Sequence, residues 1–346
     1  MGTLSQDQLN RALIERQLLR ERAGQSALAA VEHLVGIQAQ EPKSPYVGLW
    51  SRLTDFEPKQ LEDLLTNREA VRMLLMRGTI HLVSARDALG LRPHTQLRLD
   101  RELQSGPFAS RLRGLDLDEV AELGREILQD TPQGTADAGK QLRRRWPDRE
   151  HTVLGNALRN KLALVQIPPR GLWHRSGRAV CTTVENWLGR PQQAITKDEL
   201  VLRYLRAFGP ASVMDAQQWS GLTRLTETFE ALRPQLVTFR DEAGKELFDL
   251  PDAPRPDPGT PLPVRLLPEF DNILLAHADR RRVIADDRLG VVVGGKPTVL
   301  VDGYVVATWS ITKDRAIAVD YLDKLPRGKE KAVAEECDRL RYWIRT

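Results

Sequence analysis

The sequence predicts an α+β fold: three tandem helical units followed by a β-rich C-terminal domain. Three observations carry this. An order of helix, helix, helix and β-hairpin recurs ahead of residues 190 and 250, and a more divergent copy fits the N-terminal region. A stretch with five prolines, Pro251 to Pro261, then interrupts the chain. Beyond it the pattern changes to β-branched residues alternating between Gly and Asp-Gly turns, as in a meander. Three helices and a hairpin are the winged-helix order, a variant of the helix-turn-helix. The predicted units are residues 1–115, 116–190 and 191–250, a Pro-rich semi-rigid linker at 251–262, and the C-terminal domain at 263–346 with a terminal helix.

The elements follow in order. In the first unit, helices are predicted at Ser5–Glu21, Ser26–Ile37 and Lys59–Thr66, and strands at Ala70–Met76 and Thr79–Val83 around an Arg77-Gly78 turn. Ala27, Leu28, Val31, Leu34 and Val35 recur at helical spacing, and Pro42 is expected to stop that helix. Gln38 and Gln40 then lie at or just past its C-terminus. The second unit predicts helices Val120–Leu128, Ala136–Trp146 and Val153–Lys161, a strand at Leu164–Ile167, a turn at Pro168–Gly171 and a return strand at Leu172–His174. In the third, Lys197–Phe208 stops at Gly209-Pro210, Ser212–Trp219 breaks at Gly221, and Leu225–Leu232 leads into a hairpin turning near Gly244. Past the linker, strands are predicted at Val264–Pro268, Gly290–Val293, Thr298–Val301 and Tyr304–Trp309, with a short helix or turn at Asn272–His277 and a closing helix at Lys329–Ile344.

Composition narrows the function classes. The hydrophobic fraction of 41% and charged fraction of 28% are those of a soluble globular protein. No apolar run approaches the ~18 residues that cross a bilayer. Asp7, Arg11, Glu15 and Arg16 interrupt any leader-like apolar segment, so a cytoplasmic protein without membrane contact is expected. Cys181 and Cys337 form no CxxC pair, and the six histidines show no HxH, HxxxH or HExxH spacing. Neither a disulfide framework nor a zinc or iron centre is expected. With no GxGxxG after a strand, no Walker A loop and no GxSxG elbow, no cofactor is expected either.

The net charge is +4, but its distribution says more. Basic residues cluster at Lys140, Arg143, Arg144, Arg145 and Arg149, at Arg98, Arg101, Arg111 and Arg113, and at Arg280, Arg281 and Arg282. Each cluster reads as a solvated helix face or as a phosphate contact; a pI near 9.1 favours a polyanion partner. Other residues keep two readings. His81 on a strand reads as a structural histidine or a contact. Asp271 in Leu267-Pro268-Glu269-Phe270-Asp271-Asn272 reads as a helix N-cap or a catalytic carboxylate. Gln38-Ala39-Gln40 reads as a solvated pair or as amides that position a water or a base edge without carrying charge.

Four segments in order raise the second reading of the glutamine pair: Gln38-Ala39-Gln40-Glu41-Pro42-Lys43-Ser44-Pro45-Tyr46-Val47-Gly48-Leu49-Trp50, Arg77-Gly78-Thr79-Ile80-His81-Leu82, Gly171-Leu172-Trp173-His174-Arg175-Ser176-Gly177 and Leu267-Pro268-Glu269-Phe270-Asp271-Asn272. Together they resemble the AlkZ/YcaQ family of winged-helix DNA glycosylases over nearly the whole chain. The resemblance implies that the units and the β-rich domain form a concave DNA-binding channel. It implies hydrolysis of the N-glycosidic bond of alkylated purines, including N7-alkylguanine in interstrand crosslinks, with Gln38 and Gln40 as the catalytic pair. Gln-x-Gln is similar to the AlkZ branch, which protects antibiotic producers from their own crosslinking agents; an Asp form marks the YcaQ branch. Double-stranded DNA with alkylated purines is the implied partner of a monomeric enzyme. DNA contacts are expected at Arg77, His81, Arg175, Arg280, Arg281, Arg282 and Lys296, and the family's DNA-gripping hairpin is expected within Arg280–Leu300. Lys43, framed by Pro42 and Pro45, reads as a loop residue rather than a Schiff-base nucleophile, so a monofunctional enzyme is expected. The rival readings are a non-catalytic winged-helix transcriptional regulator and a protein-interaction scaffold.

Overall fold

The computed structural model describes every residue except Met1, Asp323, Pro326 and Thr346. The chain opens with β1 (Gly2–Leu4) and α1 (Gln6–Arg16). Ser5 and Gln8 form a capping box there, satisfying backbone donors that a helix start leaves free. The first unit contains α2 (Ala27–His33), β2 (Ile37–Gln38), α3 (Ser44–Trp50), α4 (Pro58–Thr66), β3 (Ala70–Leu74) and β4 (Ile80–Ser84). A long α5 (Ala85–Ser105) and a short α6 (Ala109–Leu112) lead into the second unit. That unit contains α7 (Leu117–Asp130), α8 (Thr135–Leu142), α9 (His151–Lys161), β5 (Leu164–Ile167) and β6 (Val180–Thr183). After α10 (Val184–Leu188), the third contains α11 (Lys197–Phe208), α12 (Val213–Ser220), α13 (Thr226–Leu232), β7 (Val237–Asp241) and β8 (Glu246–Asp249). The C-terminal domain holds β9 (Arg265–Leu267), α14 (Leu289–Val293), β10 (Thr298–Val301), β11 (Tyr304–Ile311), β12 (Ile317–Tyr321) and α15 (Lys329–Trp343).

One pairing recurs in all three units. The segment between the first and second helices hydrogen-bonds to the returning strand of the hairpin. In the first unit β2 pairs with β4; in the second Gln133 pairs with Cys181; in the third Ala211 pairs with Phe248. The first two units also share a sheet, because β3 pairs with β5 to give the order β2-β4-β3-β5-β6. In the third unit β1 adds in parallel to β7, and the C-terminal sheet runs β12-β11-β10-β9. Among the described residues, no helix is long and apolar enough to cross a membrane.

Several elements depart from the sequence prediction. The helix expected to reach Ile37 ends at His33, because Val35 (φ 54°) and Gly36 (φ 93°) turn the chain. Pro42 therefore stops nothing, and Gln38 lies on a strand. The helix α3 was hidden by its prolines, yet Pro45 sits in its first turn, where a missing N–H costs nothing. The return strand of the second unit is Val180–Thr183, not Leu172–His174. Gly290–Val293 is the helix α14 rather than a strand, since β10 already has β9 on one edge and β11 on the other. A short β-branched run is ambiguous by periodicity alone, and here both sides of β10 were already paired. The Arg280–Leu300 region consequently contains no hairpin.

The turn before β2 tolerates only glycine. A Cβ on Gly36 would lie 2.6 Å from Val83 Cγ1, and its backbone is left-handed. Gly36→Ala is expected to destabilise the protein by about 1–3 kcal/mol through overpacking. Urea unfolding monitored by tryptophan fluorescence checks this; an unchanged midpoint would show that the turn can relax.

Candidate functional site

The site is built on the pairing of β2 with β4. Gln38 stands directly opposite His81, so the two side chains share one face of the sheet. Arg77, in the β3–β4 turn at φ 58°, folds back over that face. Its Nη2 donates to Gln38 Oε1 at 2.9 Å and lies 3.3 Å from His81 Nε2, while its Nη1 donates to the Trp219 carbonyl of α12 at 3.1 Å. His81 Nδ1 is 3.0 Å from the Thr79 carbonyl. A carbonyl only accepts, so the ring proton belongs on Nδ1 and Nε2 presents a lone pair to Arg77. Burial, reinforced by the Arg77 charge, pushes the His81 pKa down to about 3. Burial, with Arg280 and Arg98 nearby, lowers that of Arg77 to about 10, which leaves it protonated at neutral pH.

The motif strand is held from both sides. Ala39 N–H donates to the Ile80 carbonyl at 2.7 Å, and the Ala39 carbonyl accepts from Arg72 Nη2 at 2.8 Å. Gln40 is exposed, and its Oε1 accepts from the Ile80 N–H at 3.4 Å. Gln38 is buried, and its N–H donates to Asn272 Oδ1 at 3.4 Å. Asn272 Nδ2 donates to the Gly36 carbonyl at 2.6 Å. Next to it, the Asp271 carboxylate takes Arg52 in a bidentate pair and caps the short turn at Asn272–Leu274 through the Ile273 N–H. Asp271 is thus an N-cap and a buried ion-pair partner. Glu269 accepts from the Ser44 hydroxyl at 2.9 Å. The Leu267–Asn272 segment is a clamp on the motif, and its carboxylates are engaged.

The third motif closes another flank. Tyr46 donates its hydroxyl to the Gly171 carbonyl at 2.8 Å, and its ring lies 4.9 Å from Trp173. Trp173 also packs on His174 and Trp343. A cavity of about 280 Å³ opens beside them, lined by Lys43, Trp173, His174, Glu269, Trp309 and Ile311 among others.

The remaining sequence candidates fall in different places. His81 and Arg282 are interior residues: His81 is 1% exposed, and Arg282, 7% exposed, donates to the Pro210 carbonyl at 2.6 Å. Their polar atoms are committed to the protein, so neither presents itself to a surface ligand. Arg281 is exposed but paired with Asp279 at 2.5 Å. Arg175 and Lys296 are exposed and adjoin cavity-lining residues. Arg280 belongs near Arg77. Sequence reasoning missed Arg98 as a site residue, although it fell in a basic cluster. Its side chain lies across Gly78 and Gly221, where a Cβ would meet it at 3.6 and 3.2 Å. Two glycines far apart in sequence make that approach, which is why no local signal revealed it. Among the described residues no group of three or more His, Cys, Asp or Glu is placed to hold a metal ion.

The model of the DNA glycosylase AlkZ-like family matches residues 31–343. The chain belongs to the AlkZ-like DNA glycosylase family. It is 25% identical over 350 residues to an interstrand DNA cross-link repair glycosylase of Streptomyces sahachiroi, covering 93% of this chain and 92% of that protein. The solved structure of Streptomyces sahachiroi DNA glycosylase AlkZ superposes with a TM-score of 0.81 at 23% identity, covering 99% of this chain and 98% of that one. The AlkZ-like match thus agrees with the resemblance drawn from the four motifs, and the mixed α+β architecture is that of the solved AlkZ.

Buried neutral histidines give this AlkZ-like chain a pH signature. Burial lowers the pKa of His81 to about 3 and also lowers that of His277. In the unfolded chain both would protonate near pH ~6.5. Below that value the unfolded state binds more protons, so stability is fully present above it and is lost as pH falls. Urea midpoints between about pH 7 and 5, above the carboxylate range, are expected to fall steadily. A flat or rising midpoint would contradict neutral burial.

Proposed function

We propose that this chain is a monofunctional DNA glycosylase that hydrolyses the N-glycosidic bond of cationic alkylated purines, N7-alkylguanine foremost, including those in interstrand crosslinks. The observation that carries the reading is the glutamine pair. Gln38 and Gln40 have their amide oxygens anchored by protein donors, Arg77 and the Ile80 N–H. Each oxygen keeps a second lone pair for a water. Of the groups packed directly on the motif, His81 is buried and held far below neutral pH, and Asp271 and Glu269 serve the clamp.

That chemistry suits one kind of lesion. Alkylation at N7 makes guanine a cationic leaving group, and the bond breaks through an oxocarbenium-like sugar. The base then needs no protonation. The enzyme orients a water and lets the DNA phosphates stabilise the developing charge on the deoxyribose. An amide orients but does not deprotonate strongly, so uncharged lesions such as uracil lie outside its reach. A crosslinked base is tethered to the other strand and cannot swing into a deep pocket. An open channel lined by winged-helix units and the β-rich domain, working as a monomer on double-stranded DNA, fits that constraint. The same chemistry serves base excision repair or self-resistance in the cytoplasm.

Phosphate contacts follow from unpaired charge. Among the described residues the Arg98 and Arg280 side chains have no hydrogen-bond or ion-pair partner, and both lie near Arg77. Exposed Lys313 and Arg315 occupy the β11–β12 turn, with Arg315 near enough to His174 to help lower its pKa. We assign the DNA-gripping hairpin to β11–β12.

The test is duplex DNA carrying N7-methylguanine, followed by heating in alkali to cleave abasic sites. The wild-type protein should give cleavage above a protein-free control, with no borohydride-trapped adduct. Gln38→Ala and Gln40→Ala should each slow single-turnover excision about a hundredfold with DNA affinity unchanged. Full excision by both variants would remove the water-orienting role. For the phosphate contacts, Arg98→Ala and Arg280→Ala should each reduce the slope of log affinity against log salt by about 1. Unchanged slopes would place these arginines outside the DNA footprint.

A further inference from the structure

We propose that Arg77 is a positioning residue for excision: it sets the orientation of the Gln38 amide and ties it to the third unit. The inference rests on the catalytic reading of Gln38. A guanidinium only donates hydrogen bonds, so the Gln38 atom 2.9 Å from Arg77 Nη2 is necessarily the amide oxygen. Without that donor the amide is free to rotate its NH2 into the same place, because His81 Nε2 offers a lone pair on the same face. Arg77 therefore decides which end of Gln38 is available to a water.

Arg77 is itself held on other sides. Its Nη1 reaches the Trp219 carbonyl in the last turn of α12, where the helix end carries partial negative charge. Its Nη2 also meets the neutral His81, whose tautomer is fixed by the Thr79 carbonyl. The chain of contacts runs from α12 through Arg77 to β2, so two units that are separate in sequence cooperate on one amide. The fork geometry matters: Nη1 and Nη2 serve three acceptors between them, which a lysine ammonium on a flexible stem cannot hold in the same plane.

This role differs from a DNA-backbone contact in what it predicts. A backbone contact would weaken affinity and lower the salt slope while sparing the rate. A positioning role lowers the rate and spares affinity. Single-turnover excision of N7-methylguanine and binding to undamaged duplex should be measured for Arg77→Met and Arg77→Lys, each alone and combined with Gln38→Ala. The expected result is a rate loss of about tenfold or more in both single variants, smaller for Arg77→Lys, with Kd within about twofold of wild type. In the Gln38→Ala background, Arg77→Met should add little, since the amide it orients is gone. Arg77→Lys keeps the charge, so if Arg77→Met fails to fold, its rate and its pairing with Gln38→Ala decide the matter. An unchanged rate in the Arg77 variants, a loss confined to Kd, or full additivity with Gln38→Ala overturns the proposal. If Gln38→Ala itself excises at the wild-type rate, both the catalytic reading and this inference fall. If Gln38→Ala is inactive and the Arg77 variants are not, only this inference falls.

Discussion

The buried ion pair between Arg52 and Asp271 is the constraint on which the site depends. Both side chains are 1% exposed, and the two hydrogen bonds measure 2.7 and 2.8 Å. Arg52 follows α3, whose Gly48 carbonyl it also takes, and its Nη2 approaches Gln17 Oε1 at 3.4 Å. Gln17 in turn donates to the Ala207 carbonyl of α11 at 2.7 Å. First unit, third unit and C-terminal domain therefore meet around one guanidinium. Burying two charges costs several kcal/mol of desolvation, so such a pair adds little net stability over apolar residues of the same shape. What it fixes is geometry. Asp271 locates Asn272, and Asn272 grips the Gly36 carbonyl and the Gln38 N–H on either side of the turn that presents the motif.

Much of this was readable in the sequence, for identifiable reasons. The helix α11 and the β7–β8 hairpin declare themselves through local signals: Thr196 caps α11, Gly209-Pro210 ends it, and Gly244 turns the hairpin at φ 80°. The strand β2 gives no such signal. It is two residues long, and its pairing with β4 depends on residues more than forty positions away. The helix α3 carries a proline in its first turn that reads locally as a break. The motifs were legible as words, but not their grammar. Nothing in Arg77-Gly78-Thr79-Ile80-His81 shows that the arginine will turn toward Gln38, because its other anchor, Trp219, is 142 positions away. Likewise the Glu269–Asn272 segment carries polar residues that look chemical, yet their partners Ser44, Arg52 and Gly36 make it a clamp.

The distribution of charge around the glutamines has a chemical consequence. The Asp271 and Glu269 carboxylates are engaged by Arg52 and by the Ser44 hydroxyl, and the histidine beside Gln38 is locked neutral by burial and by the cation next to it. On the proposed function, the glutamine pair neither pulls a proton from water nor gives one to a leaving base. It supplies order instead of acid–base strength: two amides whose oxygens are each turned by a fixed donor. Positioning alone gives a large acceleration only where the bond is already prone to break. On the proposed function, selectivity for a cationic base arises from what the site lacks as much as from what it holds.

The arginines near Gln38 sharpen this point. Burial, with the charges of Arg280 and Arg98 nearby, lowers the Arg77 pKa. Alone, that field would oppose both a cationic lesion and the positive charge growing on the sugar. DNA brings its own correction, because its phosphates neutralise exposed arginines and release counterions on docking. Once a phosphodiester stands against Arg98 and Arg280, the residual charge at the sugar is set by the nucleic acid as much as by the protein. Arg77 is anchored by a carbonyl, an imidazole and an amide. On the proposed function it is the cation that stays with the protein, holding Gln38 in register, while Arg98 and Arg280 turn to the phosphates. The proposed function thus asks two things of one basic cluster: attraction of the duplex, and silence toward the lesion after the duplex has arrived.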